Sequence, residues 1–212
     1  MDLFLSIIIV LPILLYSAIL HEIAHGLVAE RLGDPTARLM GRITLNPIPH
    51  IDPIMSIILP IILIYYHSPV IFGGAKPVPV DPFNLKEGRK DVALVSLAGP
   101  ATNLLIALAA AGILHLTAFL PIIGFPLVKN IIFLIVHLNL LLAIFNLIPI
   151  PPLDGSKVLA LILPEKEAAV YLSVGSVGIF ILFFLLMFPI GGFSLGSFIF
   201  NLLNFSEHLL GL

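Results

Sequence analysis

The chain has 212 residues, of which 59% are hydrophobic and only 10% are charged. A soluble domain usually carries about 25% charged residues, so this composition indicates a protein that resides in a lipid bilayer. The net charge is -2 and no cluster of basic residues occurs, which argues against nucleic acid as a partner. Cysteine is absent, so disulfides and thiolate metal sites are excluded, and any transition-metal site must use histidine and carboxylate.

Apolar runs separated by proline, glycine and charge predict an all-α, polytopic membrane protein with a single domain, 1–212. A helix that spans a bilayer needs about 20 mostly apolar residues. The expected result is a helical bundle of about five to six membrane segments, with one small extended or β element. The predicted helices, in chain order, are 3–31, 91–119, 129–148, the short helix 156–163, 166–188 and 194–211, with the short apolar stretch 54–72 between the first two.

Positive charge marks the loops that are expected to face the cytoplasm. The loops 31–42 and 76–90 are both basic, and Lys and Arg concentrate on the cytoplasmic side of membrane proteins. The stretch 54–72, which is short and contains two prolines, is then expected to re-enter the bilayer or lie in its interface. With this topology the end of the first helix and the end of 129–148 lie at similar depth, nearer the cytoplasmic side.

The run HEIAH places two histidines and a glutamate in the first apolar helix. Residues four apart share one face of a helix, so His21 and His25 can hold one metal ion while Glu22 reaches a water beside it. A catalytic zinc takes three protein ligands and lowers the pKa of a bound water to about 7, so Glu22 is the predicted catalytic base. The pattern is short enough to occur by chance, but an ionisable group in a membrane helix costs at least ~2.5 kcal/mol and is usually functional.

The motif lacks a third ligand, which in a chain without cysteine must be another histidine, aspartate or glutamate. Asp154 stands out, because it ends the run NLIPIPPLDG after an apolar helix, between helix-breaking prolines and Gly155. Non-helical backbone at membrane depth is tolerated only where it is buried in protein or lines a wet cavity. A hydrolytic site would need its ligand in such a place.

HEIAH and NLIPIPPLDG together resemble the site-2 protease family of intramembrane zinc metalloproteases. The stretches GGAKPVPV (73–80) and LAGPATN (97–103) are also similar to family sequence, so the resemblance covers about residues 15–160. The chain has neither a PDZ domain nor paired CBS domains, and it is identified as a compact member. We therefore expect a catalytic core at about 3–160 and accessory helices at about 166–211 that wall the site or gate lateral entry.

The resemblance also implies the roles of individual residues. It implies one Zn²⁺ per chain, held by His21, His25 and Asp154, with Glu22 as the base. It implies a multi-pass protein of the cell membrane whose substrate is itself a transmembrane protein. Asn146 would engage the substrate backbone near the metal. The sequence indicates no oligomeric state.

The stretch GGAKPVPV cannot form a helix, because Pro77 and Pro79 interrupt it. A helical substrate hides its peptide bonds, so it must be unwound before attack. An extended segment with a free edge could receive the unwound substrate as an added strand, with Gly74, Lys76 and Pro77 as predicted contacts. The alternative is a plain surface loop.

Four further polar residues are candidates for supporting the metal ligands: Asn103, His137, His50 and Asp52. Asn103 lies in a predicted membrane helix, where an amide often bonds a neighbouring helix, so packing near the site is favoured over catalysis. His137 could support a ligand or bond another helix. His50 and Asp52 could form a gate or a secondary metal site, although a capped turn is the favoured interpretation.

Two other functions are compatible with parts of this pattern. Intramembrane His, Glu and Asp also build proton relays and metal pathways, so a proton- or metal-coupled transporter is one alternative. Its polar groups would have to continue through several helices, whereas 168–188 and 194–211 are almost free of ionisable residues. A catalytically inactive relative that binds membrane partners is the other alternative, and it would not need both motifs intact.

Overall fold

A computed structural model describes residues 3–66, 73–117 and 126–212. Within these ranges the chain is helical, and extended residues pair only at an isolated bridge between Ile190 and Phe193. The α-helices are α1 (Leu3–Leu32), α2 (Thr36–Leu39), α3 (Leu59–Tyr65), α4 (Arg89–Leu116), α5 (Pro126–Asn146), α6 (Asp154–Ile162), α7 (Glu165–Ser173), α8 (Gly175–Met187) and α9 (Leu195–Leu209). Short 3₁₀ turns occur at Ile48–His50 and Pro82–Asn84, and a π-helical turn at Pro53–Ile58 leads directly into α3.

Three helices of the described residues, α1, α4 and α5, are long and apolar enough to cross a bilayer. The predicted spanning helix at 166–188 is instead two helices, α7 and α8, that meet at an angle of 72°. The break falls at Val174, between Ser173 and Gly175, which are both weaker helix formers than alanine. Counting this bent pair as one span gives up to four crossings, so the predicted number of five to six is not confirmed.

The short apolar stretch that follows the first helix is helical only from Pro53 to Tyr65. At about 1.5 Å per residue its helical part extends about 20 Å, less than the ~30 Å of a bilayer core. Asp52 begins it, because its carboxylate accepts the backbone N–H groups of Ile54 and Met55. The end of the predicted stretch, 67–72, lies outside the described residues.

α4 is the central helix and packs against α1, α5 and α6. Small buried residues let the neighbouring backbones approach it closely, as is usual between membrane helices. These residues are Ala93, Gly99, Ala107, Ala110 and Ala111. The largest apolar cluster joins α4 and α5 to α8 and α9, around Leu141, Ile199 and Leu203. A second cluster joins α1 to α5 and α3.

A buried carboxylate anchors the end of α1 to the loop that follows residues 73–80. Asp34 is fully buried, and its Oδ1 accepts from the Thr36 N–H at 3.1 Å and from Asn84 Nδ2 at 3.0 Å. Its Oδ2 accepts from the Asp81 N–H at 2.7 Å. Burial alone would raise the pKa of Asp34, but these hydrogen bonds hold the pKa of that carboxyl below its usual range.

We expect Asp34→Asn to destabilise the protein by about 1–3 kcal/mol, because the new NH₂ group must face a donor. Since the folded-state pKa is lowered, the carboxylate stabilises the fold above its unfolded pKa of about 3.9, and this contribution is lost as the pH falls through the folded value. Thermal unfolding in detergent should give a higher melting temperature for wild type than for Asp34→Asn at pH 6, and this gap in melting temperature should narrow below about pH 3.9. A gap that stays constant through this range would contradict the assignment.

Candidate metal centre

α1 carries two histidines on the side that packs against α4. His21 and His25 are one turn apart and both are buried. Their rings meet edge to face, with centroids 4.6 Å apart. The helical spacing therefore brings both rings to one point inside the bundle.

Asp154 is the first residue of α6 and reaches the same point from the other side of α4. Its Oδ2 lies 3.1 Å from Nε2 of His21 and 3.1 Å from Nε2 of His25. The chain can place it there because Gly155 lies directly on the end of α5. A Cβ at Gly155 would be 2.1 Å from the carbonyl oxygen of Leu147, so this close approach requires glycine. The LDG turn thus sets the position of the carboxylate.

Three lone pairs converge between these side chains. His21 Nδ1 donates to Asn103 Oδ1 at 2.6 Å, and His25 Nδ1 donates to the Val95 carbonyl at 2.7 Å. In the neutral form of each ring this leaves Nε2 with its lone pair toward the other ligand atoms, and the two Nε2 atoms are 3.0 Å apart. Tetrahedral zinc would separate such ligand atoms by about 3.3 Å. Two imidazole nitrogens and one carboxylate oxygen that converge in this way could hold one metal ion, and the donor set fits zinc.

Glu22 lies beside this group without joining it. The side chain is half-buried, and its Oε2 accepts a hydrogen bond from the Val78 N–H at 2.7 Å. It adjoins, with His21, the two cavities that flank the three ligands. The carboxylate is thus held next to the ligands and open to the space in front of them.

The two cavities adjoin at His21 and Glu22, and together they are called the cleft; His25 and Asp154 line the second cavity. The first has a volume of about 380 Å³ and the second about 400 Å³. Residues that border both are His21, Glu22, Pro77, Asn146, Pro152 and Leu153. Asn146 lies at this junction, and its Nδ2 donates to the Leu142 carbonyl at 3.0 Å.

The walls of the two cavities differ in chemistry. The first is mainly apolar, with Met55 of the π-helical turn at Pro53–Ile58, Phe145 of α5 and Leu182 of α8 in its wall. The second extends toward the start of α4 and includes Ser96 and Lys157. The cleft therefore runs from an apolar end to a more polar end, with the metal ligands between them.

The segment 73–80 passes along this cleft, and no regular strand forms in it. Alternate N–H groups point to one side: Gly74 donates to the Met55 carbonyl, Lys76 to the His50 carbonyl and Val78 to Glu22. One edge is therefore already occupied by the chain itself. Lys76 is exposed and borders neither cavity, so the predicted contact of its side chain is not supported.

Gly74 and Pro77 do line the first cavity. Arg42, which is buried, donates to the carbonyls of Lys76 and Pro77 and so fixes this part of the segment. The opposite edge has few donors, because Pro77 and Pro79 have no N–H. On this edge the residues beside the first cavity that have an N–H are Gly73 and Ala75.

The other predicted supporting residues occupy different places. Asn103 contacts His21 directly. His137 does not reach the ligands, because its Nδ1 bonds Glu207 of α9 at 2.6 Å. His50 is fully buried and donates from Nε2 to the Thr44 carbonyl at 3.0 Å. Asp52 caps the helical turn at Pro53 and also lines the first cavity, so neither residue adds a metal ligand.

Two residues near the ligands were not predicted from the sequence. Lys157 extends its Nζ to 3.3 Å from Asp154 Oδ1, the oxygen that does not face the histidines. Its position three residues after Asp154 on a helix could have indicated this pair. Asn139 donates to Ser17 and accepts from Asn103, and an amide inside an apolar helix was the available signal.

Comparison with known proteins places the chain in a family. It is 36% identical to "Putative zinc metalloprotease YwhC" of Bacillus subtilis over 186 residues. The aligned region covers 86% of this chain and 81% of that protein. The pattern of Peptidase family M50 matches residues 123–189. The chain belongs to peptidase family M50. The resemblance to site-2 proteases is thereby confirmed, as is a membrane protein with apolar helices.

Other relatives match a shorter part of the chain. "Putative zinc metalloprotease Rip2" of Mycolicibacterium smegmatis is 36% identical over 141 residues, 66% of this chain and 52% of that protein. Rip2 of Mycobacterium tuberculosis gives the same identity and coverage. No solved structure matches the chain. Family membership and the His21–His25–Asp154 group together confirm the predicted Zn²⁺ cofactor.

We expect Asp154→Ala to lose the stoichiometric zinc of the purified protein, because two neutral imidazoles remain and the only anionic ligand is removed. Asp52→Ala is the matched control, since it also removes a carboxylate from the cleft but one that caps a helix. Elemental analysis of zinc per chain measures both. Full zinc in Asp154→Ala would show that another residue is the third ligand.

Proposed function

We propose that the chain is an intramembrane zinc endopeptidase that hydrolyses a peptide bond within or near a transmembrane helix of another protein. The observation that carries this proposal is the position of the ligand group. Two of its members belong to a helix long enough to span the bilayer, and the adjoining cleft has an apolar end. Such a cleft suits a substrate segment that comes from the membrane.

In this proposal Glu22 acts as general base and then as general acid. Zinc at the three ligands would supply an activated water and a Lewis acid for the scissile carbonyl. Glu22 takes the proton from the attacking water and delivers it to the leaving amine. The Val78 N–H orients the carboxylate at 2.7 Å and leaves its other oxygen for this task.

The substrate would lie across the junction of the two cavities. Asn146 uses one N–H on the Leu142 carbonyl, so its amide oxygen and second N–H are available to a substrate backbone. The segment 73–80 would offer the edge that carries Ala75, beside Gly74 and Pro77. Because this edge has few donors, we propose short pairing there rather than a long added strand.

The rest of the chain would form the walls of the site within one domain. The core at about 3–160 supplies all proposed ligands and Glu22. In the accessory part, at about 166–211, α8 borders the apolar cavity and is the proposed wall for lateral entry. The basic loops 31–42 and 76–90 favour a site nearer the cytoplasmic side of the cell membrane.

The proposal is tested with the purified protein in liposomes that contain a transmembrane substrate. Wild type should cleave it, zinc removal by a chelator should stop cleavage, and added zinc should restore it. Cleavage that is equal in the zinc-free protein would contradict the mechanism. Zinc flux into proteoliposomes without any cleavage would favour the transporter, and bound zinc with neither activity would favour the inactive relative.

A further inference from the structure

A buried polar network connects the metal ligand His21 to a residue that does not touch the metal site. Asn103 of α4 and Asn139 of α5 are fully buried, and Ser17 of α1 is nearly so. Their side chains bond one another between three spanning helices, where unpaired polar groups would be costly. Neither Asn139 nor Ser17 has a role in the mechanism above.

The direction of the hydrogen bonds in this network is fixed by a backbone carbonyl. The carbonyl of Ile135 can only accept, so Asn139 Nδ2 must face it, at 2.8 Å. The same Nδ2 group donates to the Ser17 hydroxyl at 2.9 Å, which leaves Asn139 Oδ1 facing Asn103. Asn103 Nδ2 donates to that oxygen at 2.9 Å, so Asn103 presents its own Oδ1 to His21.

This orientation decides which nitrogen of His21 carries the proton. Asn103 Oδ1 can only accept, so the proton stays on His21 Nδ1 and Nε2 keeps its lone pair toward the metal. A flipped Asn103 amide would place its NH₂ group against Nδ1 and move the proton to Nε2. The flip is opposed because the Asn103 oxygen would then face two acceptors, Asn139 Oδ1 and the Ser17 carbonyl.

We propose that Asn139 is a positioning residue for zinc: by holding the Asn103 amide in one orientation, it keeps His21 in the form that binds the metal. The inference rests on the metal site described above, not on the identity of the substrate. Groups that orient metal ligands typically change metal affinity about 10- to 100-fold when removed. Asn139 acts through Asn103, so an effect near the lower end of that range is expected.

The test measures zinc affinity of the full chain in detergent by competition with a chromogenic chelator. Asn139→Leu removes the acceptor for Asn103 at similar volume and should weaken zinc binding about tenfold. Asn139→Asp keeps an acceptor oxygen in that place, and Ser17→Ala removes a hydrogen bond of the network without removing that acceptor. Both should bind zinc within about threefold of wild type.

Thermal unfolding of each zinc-free variant separates stability from affinity. A purely structural role would make Asn139→Asp the most damaging change, because it buries a carboxyl group. Asn139→Leu that binds zinc as tightly as wild type, or Ser17→Ala that weakens it equally, would overturn the inference. If the wild-type protein bound no zinc, the metal site would be contradicted as well. If it bound zinc but did not cleave a substrate, only the proposed function would be contradicted.

Discussion

Replacing Gly99 by alanine is expected to abolish zinc binding while the helices remain folded. Gly99 faces the two histidines across the α1–α4 contact, and a Cβ there would lie 2.5 Å from His21 Nε2 and 2.6 Å from His25 Nε2. The rings cannot turn away without losing their Nδ1 hydrogen bonds to Asn103 and the Val95 carbonyl. We expect zinc affinity to fall by at least about 100-fold, beyond the effect of losing an orienting group.

Gly112→Ala provides the matched control on the same helix. Among the described residues, no atom beyond the adjacent residues and the nearby backbone of α4 lies within 4 Å of a Cβ at Gly112. The same substitution should therefore leave zinc binding unchanged and favour the helix by up to about 1 kcal/mol. Competition with a chelator gives the affinities, and circular dichroism shows whether helix content is kept. Stoichiometric zinc in Gly99→Ala would mean that α1 and α4 separate more easily than this packing allows.

The convergence of His21, His25 and Asp154 could be predicted because it depends on local geometry. A spacing of four on one helix is enough to bring His21 and His25 together, whatever the rest of the bundle does. Asp154 is 133 residues from His21, and its place follows from the glycine that lets α6 begin on the end of α5. The run LDG carries that turn in the sequence itself.

The partners of other polar residues depend on how the helices rotate against one another. Asn139 and His137 lie two residues apart on α5, yet one joins the network of His21 and the other bonds Glu207 of α9. Asn139 and His137 are both surrounded by apolar residues in the sequence, and no spacing rule predicts which neighbouring helix each of them faces. The sequence therefore left two roles open for His137, support of a ligand or a bond to another helix, and the structure shows the second.

The predicted number of membrane segments is not confirmed among the described residues for a related reason. Hydropathy describes 166–188 as one apolar run, whereas the structure divides it into α7 and α8, which meet at 72°. The short helix at Pro53–Tyr65 is apolar without being long enough to cross. Both stretches line the apolar cavity, so their departure from regular spans is what gives the cleft its walls.

Glu22→Gln is expected to reduce cleavage of a transmembrane substrate by about 100- to 10,000-fold, the usual contribution of general acid–base catalysis. Glutamine has the same shape, and its carbonyl oxygen can still accept from the Val78 N–H. It cannot take a proton from water at neutral pH. Because Glu22 is outside the ligand group, the variant should retain one zinc per chain, as measured by elemental analysis.

Glu30→Gln is the control, because Glu30 lies on the same helix two turns later and pairs with Arg38 instead of facing the cleft. It should cleave at the wild-type rate, which would exclude a general effect of lost charge on α1. Equal cleavage by Glu22→Gln and wild type would contradict the role of Glu22, even with zinc in place. If Glu22→Gln instead lost both zinc and activity, Glu22 would be part of the metal site. The glutamine amide keeps the Val78 hydrogen bond, so the negative charge is the feature that this substitution removes.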